Sequence, residues 1–354
     1  MRIKKIITGL TILLLFTTSV FAAKAKKSNK DNGKLKVVTT IFPEYDWTRE
    51  ILGDNLKNVE LTLLLGNGVD LHSYQPSIQD IAKISTADIF IYVGGESDGW
   101  VKDALKNATN KNMKAINLLE TLGDKVKAEE IKEGMQAEED EEHEHHHHEG
   151  EHHDDDDDHD HEAEGEHHHH HDEEEIEYDE HVWLSLRNAK ILSTEIAAAL
   201  CEKDSANAAS YKANLAAYKA KLDALDAKYA ATVKSAPKNT ILFGDRFPFR
   251  YLVDDYNLDY YAAFVGCSAE TEASFETVIF LSKKVDELGL NAVLKIESGD
   301  GKIARTIAQN AKNKNAKVLT LDSIQSTTAK QAASGTTYLS IMESNLKVLE
   351  EALK

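Results

Sequence analysis

Short apolar runs alternate with helical patterns along most of the chain, and this alternation predicts an α/β fold. In the first third, runs rich in β-branched residues predict strands at 36–41, 59–65, 87–93 and 115–118. A second set of predicted strands follows at 240–243, 260–264, 292–296 and 317–321. Helical spacing of apolar residues fills the intervals. This order is typical of parallel sheets that are covered by helices on both faces.

The stretch between the two strand sets carries a different pattern. Apolar residues recur three or four positions apart with Ala and Lys between them, as at Tyr211, Leu215, Tyr218, Leu222, Leu225 and Tyr229. We predict one long linking helix over 204–236, between an N-terminal α/β lobe over 35–200 and a C-terminal α/β lobe over 238–354. An ordinary packed amphipathic helix explains the same spacing. The position between two alternating regions favours a rigid connection.

A segment of acidic residues and histidine, 138–175, interrupts the first lobe. Fourteen of the 16 His lie between His143 and His171. The segment also holds 21 of the 61 acids and no Lys or Arg, so the net charge of −20 belongs to it. Low complexity without apolar spacing predicts a disordered loop. Imidazole suits Zn, Cu and Ni, and the carboxylates attract cations, so we predict a metal-binding loop. A solvated acidic linker is the alternative, but it leaves the histidines unexplained.

The N-terminus has the features of a secretory signal. Basic residues within the first five positions precede an apolar run over 6–16, and Val20-Phe21-Ala22 provides a small-residue cleavage site. The apolar run is too short for a membrane-spanning helix. We predict a signal peptide over 1–22 and an exported protein, periplasmic or extracytoplasmic. No Cys lies near the cleavage site, so no lipoprotein cysteine is expected.

Only two histidines, His72 and His181, lie outside the acidic segment. Either one alone fits a hydrogen-bonded structural histidine. Their isolation, their loops and the metal-collecting segment before His181 favour a shared metal site. Ligands bind at the carboxyl ends of parallel strands, where Asp245, Glu297 and Asp322 follow predicted strands of the second lobe.

Two motifs carry a family resemblance. Gly-x-Asp-x-His-x-Tyr-x-Pro at 68–76 and Glu-His-Val-Trp-Leu at 180–184 resemble the ligand motifs of a known family. It comprises the solute-binding proteins of zinc and manganese ABC importers, the ZnuA/TroA-like (cluster A-I) group. The insert before the second motif resembles the zinc-specific members, and 337–346 resembles the closing helix. The resemblance implies two α/β lobes joined by a long helix, with a metal held between them.

The resemblance also implies a ligand set. It assigns His72, His181 and Asp322, and we predict that Asp245 or a water completes the site. Two nitrogens and one or two oxygens suit tetrahedral Zn²⁺. The same set accepts Mn²⁺ or Fe²⁺ at a larger coordination number.

One position departs from the family pattern. Arg246 occupies the place of a third histidine, and arginine cannot ligate a cation at any useful pH. We expect Arg246 to pair with a nearby carboxylate such as Glu297 or Glu272.

The two cysteines leave alternatives open. An oxidising compartment permits a bridge between Cys201 and Cys267, and the sequence does not decide it. A catalytic thiolate needs His72 or His181 as a partner, and nothing around either histidine indicates that pairing.

These observations predict a zinc-binding importer component that works as a monomer and delivers Zn²⁺ to an ABC permease. No His-Glu-x-x-His or Gly-x-Ser-x-Gly motif is present, so we do not expect an enzyme. A neutral body with an acidic insert argues against nucleic-acid binding. Two alternatives remain: a Mn²⁺- or Fe²⁺-binding member of the same family, and a His-rich zinc-buffering protein.

Overall fold

The structure is a computed structural model that describes residues 33–136, 177–268, 272–314 and 316–354. The predicted signal peptide, 1–22, and the predicted metal-binding loop, 138–175, lie outside the described residues. Residues Lys34–Lys354 cluster as one compact unit. The lobe boundaries drawn from the sequence therefore stay a prediction.

Four parallel strands form a sheet in the first part of the chain. They are β1 (Leu35–Thr39), β2 (Val59–Leu63), β3 (Ile89–Tyr92) and β4 (Lys114–Asn117), in the order β2-β1-β3-β4. Val37 on the central β1 pairs with Leu61 on one side and with Ile89 on the other. Because all four strands run the same way, the loops after them share one edge of the sheet. The loop that carries His72 leaves from that edge.

Two parallel strand pairs follow later in the chain. They are β5 (Thr240–Leu242) with β6 (Asp259–Tyr261), and β7 (Ala292–Lys295) with β8 (Lys317–Thr320). A parallel bridge between Phe243 and Leu294 joins the pairs. Asp245 lies just beyond β5, and Cys267 lies in the loop after β6. The parallel α/β architecture predicted from the sequence is confirmed.

Helices cover these sheets, in the intervals where helical spacing was predicted. They are α1 (Phe42–Leu52), α2 (Ile78–Ser85), α3 (Val101–Lys106), α4 (Leu118–Leu122), α5 (Leu186–Lys203), α6 (Ala208–Ser235), α7 (Arg250–Tyr256), α8 (Phe275–Glu287), α9 (Lys302–Asn310), α10 (Ala329–Ala333) and α11 (Tyr338–Ala352). Two short helices, α4 and α10, were not predicted. Leu118 was placed in a strand, but it begins α4 because Asn117 Oδ1 caps that helix by accepting the Glu120 N–H at 3.1 Å.

Helix α6 is the long helix that the apolar spacing predicted. Its buried residues face helices from both parts of the chain, because α6 packs against α1 and α5 and also against α11. Tyr229 on α6 donates its hydroxyl hydrogen to the Met342 carbonyl of α11 at 2.6 Å. The buried face of α6 therefore belongs to an apolar core that it shares with elements from both parts of the chain. Within the described residues, no helix has the length and apolar content that a membrane crossing requires.

Candidate metal centre

His72 lies on a single 3-10 turn, Leu71–Ser73, in the loop that follows β2. The Asp70 carboxylate caps this turn by accepting the His72 backbone N–H at 3.1 Å. The Nδ1 atom of the imidazole lies 2.8 Å from the Ser97 hydroxyl oxygen. Nδ1 is therefore held by the protein, and Nε2 is the nitrogen left to bind a metal.

His181 precedes a second 3-10 turn, Val182–Leu184, and is fully buried. One carboxylate oxygen of Asp179 accepts the His181 backbone N–H at 2.8 Å and lies 3.1 Å from Nδ1 of the ring. Trp183 packs beside the imidazole, with 5.2 Å between the ring centroids. A carboxylate at Nδ1 fixes the tautomer and makes Nε2 a better metal ligand.

The two imidazoles meet through Nε2, with 3.1 Å between the two Nε2 atoms. Two nitrogen ligands of one tetrahedral zinc lie about 3.3 Å apart at ordinary Zn–N bond lengths. Burial lowers the pKa of His72 to about 3, and the neighbouring His181 and Arg246 act in the same direction. His72 is therefore neutral near pH 7, as a metal ligand must be. The structure brings the two predicted histidines together, and their role as ligands stays a prediction.

Glu180 ties both histidine loops to the loop after β3. Its Oε1 accepts the Ser97 backbone N–H at 2.9 Å, and its Oε2 lies 3.7 Å from Nδ1 of His72. Gly95 has a positive φ of 78°, and a Cβ there would overlap the Glu180 side chain. The sequence analysis missed this positioning role. The position of Glu180 directly before His181 in the sequence could have indicated this role.

Cys267 is a third potential ligand that the sequence analysis missed. One ligand atom each from His72, His181 and Cys267 lie within 4.8 Å of one another. The sequence around the two histidines gave no sign of this thiol, because the loop after β6 reaches His181 only through the tertiary fold. Burial raises the pKa of the Cys267 thiol well above its ordinary value, and the neighbouring Glu129 adds to the effect. The other thiol, on Cys201, is free, as is that of Cys267.

Arg246 occupies the place of the family's third histidine and pairs with a carboxylate other than those expected. Its guanidinium forms an ion pair with Asp70 and donates to the Ser268 carbonyl at 3.4 Å. The predicted partners Glu297 and Glu272 are thus wrong, because the His72 turn presents its own capping carboxylate. Burial of Asp70 opposes ionisation, but the Arg246 guanidinium holds the pKa of that carboxyl below its ordinary value.

Asp245, a predicted ligand, borders a cavity of about 560 Å³ that His72 and Arg246 also line. Its carboxylate accepts the Arg246 backbone N–H at 2.9 Å and the Ile296 N–H at 3.2 Å. Burial raises its pKa. Among the described residues, the close group of possible metal ligands does not include Asp245. Its assignment as a ligand stays a prediction.

Asp322, the other predicted acidic ligand, lies in a strained loop after β8. Its Oδ1 accepts the Ile324 N–H at 2.8 Å, and Ile324 itself has a φ of 64°, which is rare for a β-branched residue. Glu297 holds the same loop by accepting the Ser323 N–H at 2.7 Å. Burial and then the neighbouring Glu297 raise the pKa of Asp322 to about 7. Within the described parts of the chain, Asp322 also lies outside the group formed by the two histidines and the cysteine.

The fold and the site together define an α/β protein whose two isolated histidines lie close enough to bind one metal ion. Residues 37–352 match the model of the ZnuA family, described as "Zinc-uptake complex component A periplasmic". The chain belongs to this family. The resemblance drawn from the two motifs is thereby confirmed.

Named relatives agree with the family. The zinc-binding lipoprotein AdcA of Streptococcus pneumoniae serotype 4 is 30% identical over 342 residues, which cover 97% of this chain and 60% of the relative. The high-affinity zinc uptake system protein ZnuA of Bacillus subtilis is 29% identical over 320 residues, 90% of this chain and 88% of the relative. The Zn(II)-bound ZnuA-like domain of Streptococcus pneumoniae AdcA matches with a TM-score of 0.64 and 27% identity, covering 91% of this chain and 99% of that domain. The chain thus spans 60% of the length of its streptococcal AdcA relatives.

Proposed function

We propose that this protein is the extracytoplasmic solute-binding component of a zinc ABC importer. It captures Zn²⁺ as cargo and delivers it to a membrane permease. The observation that carries this proposal is the 3.1 Å approach of the His72 and His181 Nε2 atoms, with both Nδ1 atoms held by protein oxygens. Family membership and the zinc-binding relatives support zinc as the metal.

A carboxylate from the second part of the chain completes the site in this proposal. Asp322 is the residue that the family motif assigns, and Asp245 borders the same cavity as His72. Neither lies in the close ligand group, so a small shift of its loop accompanies metal binding. Because the histidines precede α6 and the acids follow it, zinc affinity depends on how closely the two parts approach. Such coupling lets a permease loosen the site and release the cargo.

The acidic and His-rich segment, 138–175, has a separate role in the proposal. Many weak, exchanging sites close to the centre raise the local concentration of zinc available to it. The segment ends just before the His181 motif, which suits that role. It collects zinc, and the buried centre holds it.

The proposal includes no catalysis, no nucleic-acid ligand and no oligomer. The family description, an uptake component, supports binding and transport over turnover. The extracytoplasmic location rests on the N-terminal signal pattern and on the same description. Some relatives are lipoproteins, whereas no cysteine precedes Cys201 in this chain.

Two measurements test the proposal and its alternatives. Apo protein is titrated with Zn²⁺ and with Mn²⁺ against a competing chelator, and a strain without the gene is grown under zinc starvation. We expect one tight Zn²⁺ per chain, weaker Mn²⁺ binding, and growth restored by added zinc. Tight Mn²⁺ binding with weak Zn²⁺ binding would favour the manganese member of the family. Tight zinc binding without any uptake defect would favour a buffer.

A further inference from the structure

The loop that follows β6 is built to hold a cysteine against the two histidines. Gly266 lies on His181 itself, since a Cβ at this position would come 3.2 Å from Cε1 of that ring and 2.9 Å from the Phe247 carbonyl oxygen. Glu129 fixes the next residue by accepting the Cys267 backbone N–H at 3.0 Å. A side chain at 266 would push the loop outward, so the glycine is what allows the close approach.

Arg246 stabilises this arrangement from the other side. Its guanidinium contacts the Asp70 carboxylate, which caps the His72 turn, and the Ser268 carbonyl, which follows Cys267. The Arg246 guanidinium therefore joins the loop that carries His72 to the loop that carries Cys267. The third imidazole of the family pattern is absent here, and a sulfur atom lies next to the pair.

We propose that Cys267 is the third protein ligand of the zinc centre, and that Arg246 is a positioning residue that holds its loop beside His72. This proposal rests on the proposed function. Ligand atoms that now lie within 4.8 Å of one another must come to about 3.5 Å around a tetrahedral zinc, a contraction of about 1 Å. Imidazole nitrogen and thiolate sulfur are both ordinary zinc ligands and occur together in tetrahedral zinc sites.

Zinc binding by the thiol requires the loss of a proton. The S–H bond breaks, the proton passes through the neighbouring Glu129 carboxylate to solvent, and the sulfur lone pair forms the Zn–S bond. The positive charge of the ion compensates the thiolate charge in the buried site. No oxidant or other reactant is involved.

A sulfur ligand also determines which metals the centre prefers. Thiolate is a soft ligand that favours zinc, whereas manganese favours carboxylate, carbonyl and water oxygens. In this chain, Cys267 and not the histidine-rich segment discriminates zinc from manganese at the buried site.

The test replaces Cys267 with Ser and uses Cys201→Ser as the matched control. Cys201 lies on α5, where its thiol donates to the Ala208 carbonyl at 3.6 Å, away from the ligand group. Co²⁺ is added as a probe to each full-length protein, because a thiolate bound to Co²⁺ gives a charge-transfer absorption band. The acidic segment contains no cysteine, so its weak sites cannot produce that band.

We expect the band in the wild type and in Cys201→Ser and its loss in Cys267→Ser. Zinc affinity should fall about 100-fold in Cys267→Ser, and the preference for zinc over manganese should fall with it. Circular dichroism and the melting temperature of the apo protein check that each variant is folded, and Cys267→Ala repeats the test if the serine variant misfolds. A wild type that binds zinc tightly without the band, or a folded Cys267→Ser with unchanged affinity, overturns the assignment of Cys267 but leaves the zinc-binding function intact. A wild type that binds no zinc tightly overturns the proposed function itself, and this inference with it.

Discussion

His72 and His181 are separated by 109 residues in the chain, and their Nε2 atoms lie 3.1 Å apart. His72 lies on a 3-10 turn, His181 directly precedes one, and each ring has its Nδ1 atom against a protein oxygen. Two imidazoles placed this way bring two potential ligand nitrogens close enough to bind one ion. The arrangement explains why both loops carry capping aspartates, since Asp70 and Asp179 fix the backbone before each ring.

Zinc should stabilise the folded protein through this centre. A ligand that binds only the native state adds about 2.7 kcal/mol to the free energy of unfolding at a free concentration of 100 Kd. We therefore expect the urea midpoint of chelator-treated protein to rise when buffered zinc is restored. The matched variant His181→Ala should show almost none of this rise. An equal rise in His181→Ala would place the stabilising zinc outside the centre.

Arg246 should act on zinc affinity through the loops that it joins. Arg246→Ala removes the ion pair with Asp70 and the contact with Ser268, so we expect zinc binding to weaken about 10-fold. Asp70→Asn should have a similar effect, and the double variant should add little, because both changes break one interaction. Chelator competition measures the three affinities.

Arg187→Ala is the control for Arg246, since Arg187 is half-exposed and pairs with Asp226 and Asp255 outside the ligand group. It should leave zinc affinity unchanged. Strictly additive effects of Arg246→Ala and Asp70→Asn would show that the two residues act separately.

Deletion of 138–175 should separate collection from binding. The weak zinc sites should disappear from the titration, while the affinity of the single tight site changes less than about threefold, because its ligands lie elsewhere. In cells, uptake should slow only when zinc is scarce. Loss of the tight site on deletion would mean that the segment supplies a ligand of the centre.

Asp98 should make stability depend on pH. Burial raises its pKa to about 7. The Gly94 N–H, which donates to one carboxylate oxygen at 3.0 Å, opposes this shift, and repulsion from Glu180 adds to it. Because the folded pKa lies above the unfolded value, this contribution to stability is present below about pH 4 and is lost as the pH rises through about 7. Asp98→Asn does not titrate, so its stability relative to the wild type should improve between about pH 4 and pH 8, by up to about 4 kcal/mol. Urea unfolding of the apo proteins measures this difference, and a difference that does not change with pH would contradict the account.

The sequence predicted the strands and helices well because their apolar spacing is local information. The 3.6-residue period of α6 and the β-branched runs of both sheets depend on neighbours along the chain. His72 and His181 were also predictable, because they stand alone outside the acidic segment and lie in recognisable motifs. Neither prediction required knowledge of how distant segments meet.

Cys267 and the partner of Arg246 could not be predicted in this way. Arg246 and Asp70 are 176 residues apart, and their pairing depends on where the His72 turn lies relative to β5. Cys267 reaches the histidines only because Gly266 allows its loop to rest on the His181 ring. Charged residues after β5, β7 and β8 stood out as candidate ligands at strand ends. The thiol after β6 did not, because a cysteine there has no distinctive sequence pattern. Such contacts are set by tertiary packing, which a single sequence does not display.

We propose that one zinc ion is shared by His72 and His181. The most direct measurement is the zinc affinity of His72→Ala, His181→Ala and the double variant, under a chelator that empties the weaker sites. We expect each single change to weaken binding at least about 100-fold and the double variant to be little worse than either, because the two rings act as one unit. A single variant that retains wild-type affinity would show that the two histidines do not hold the same ion.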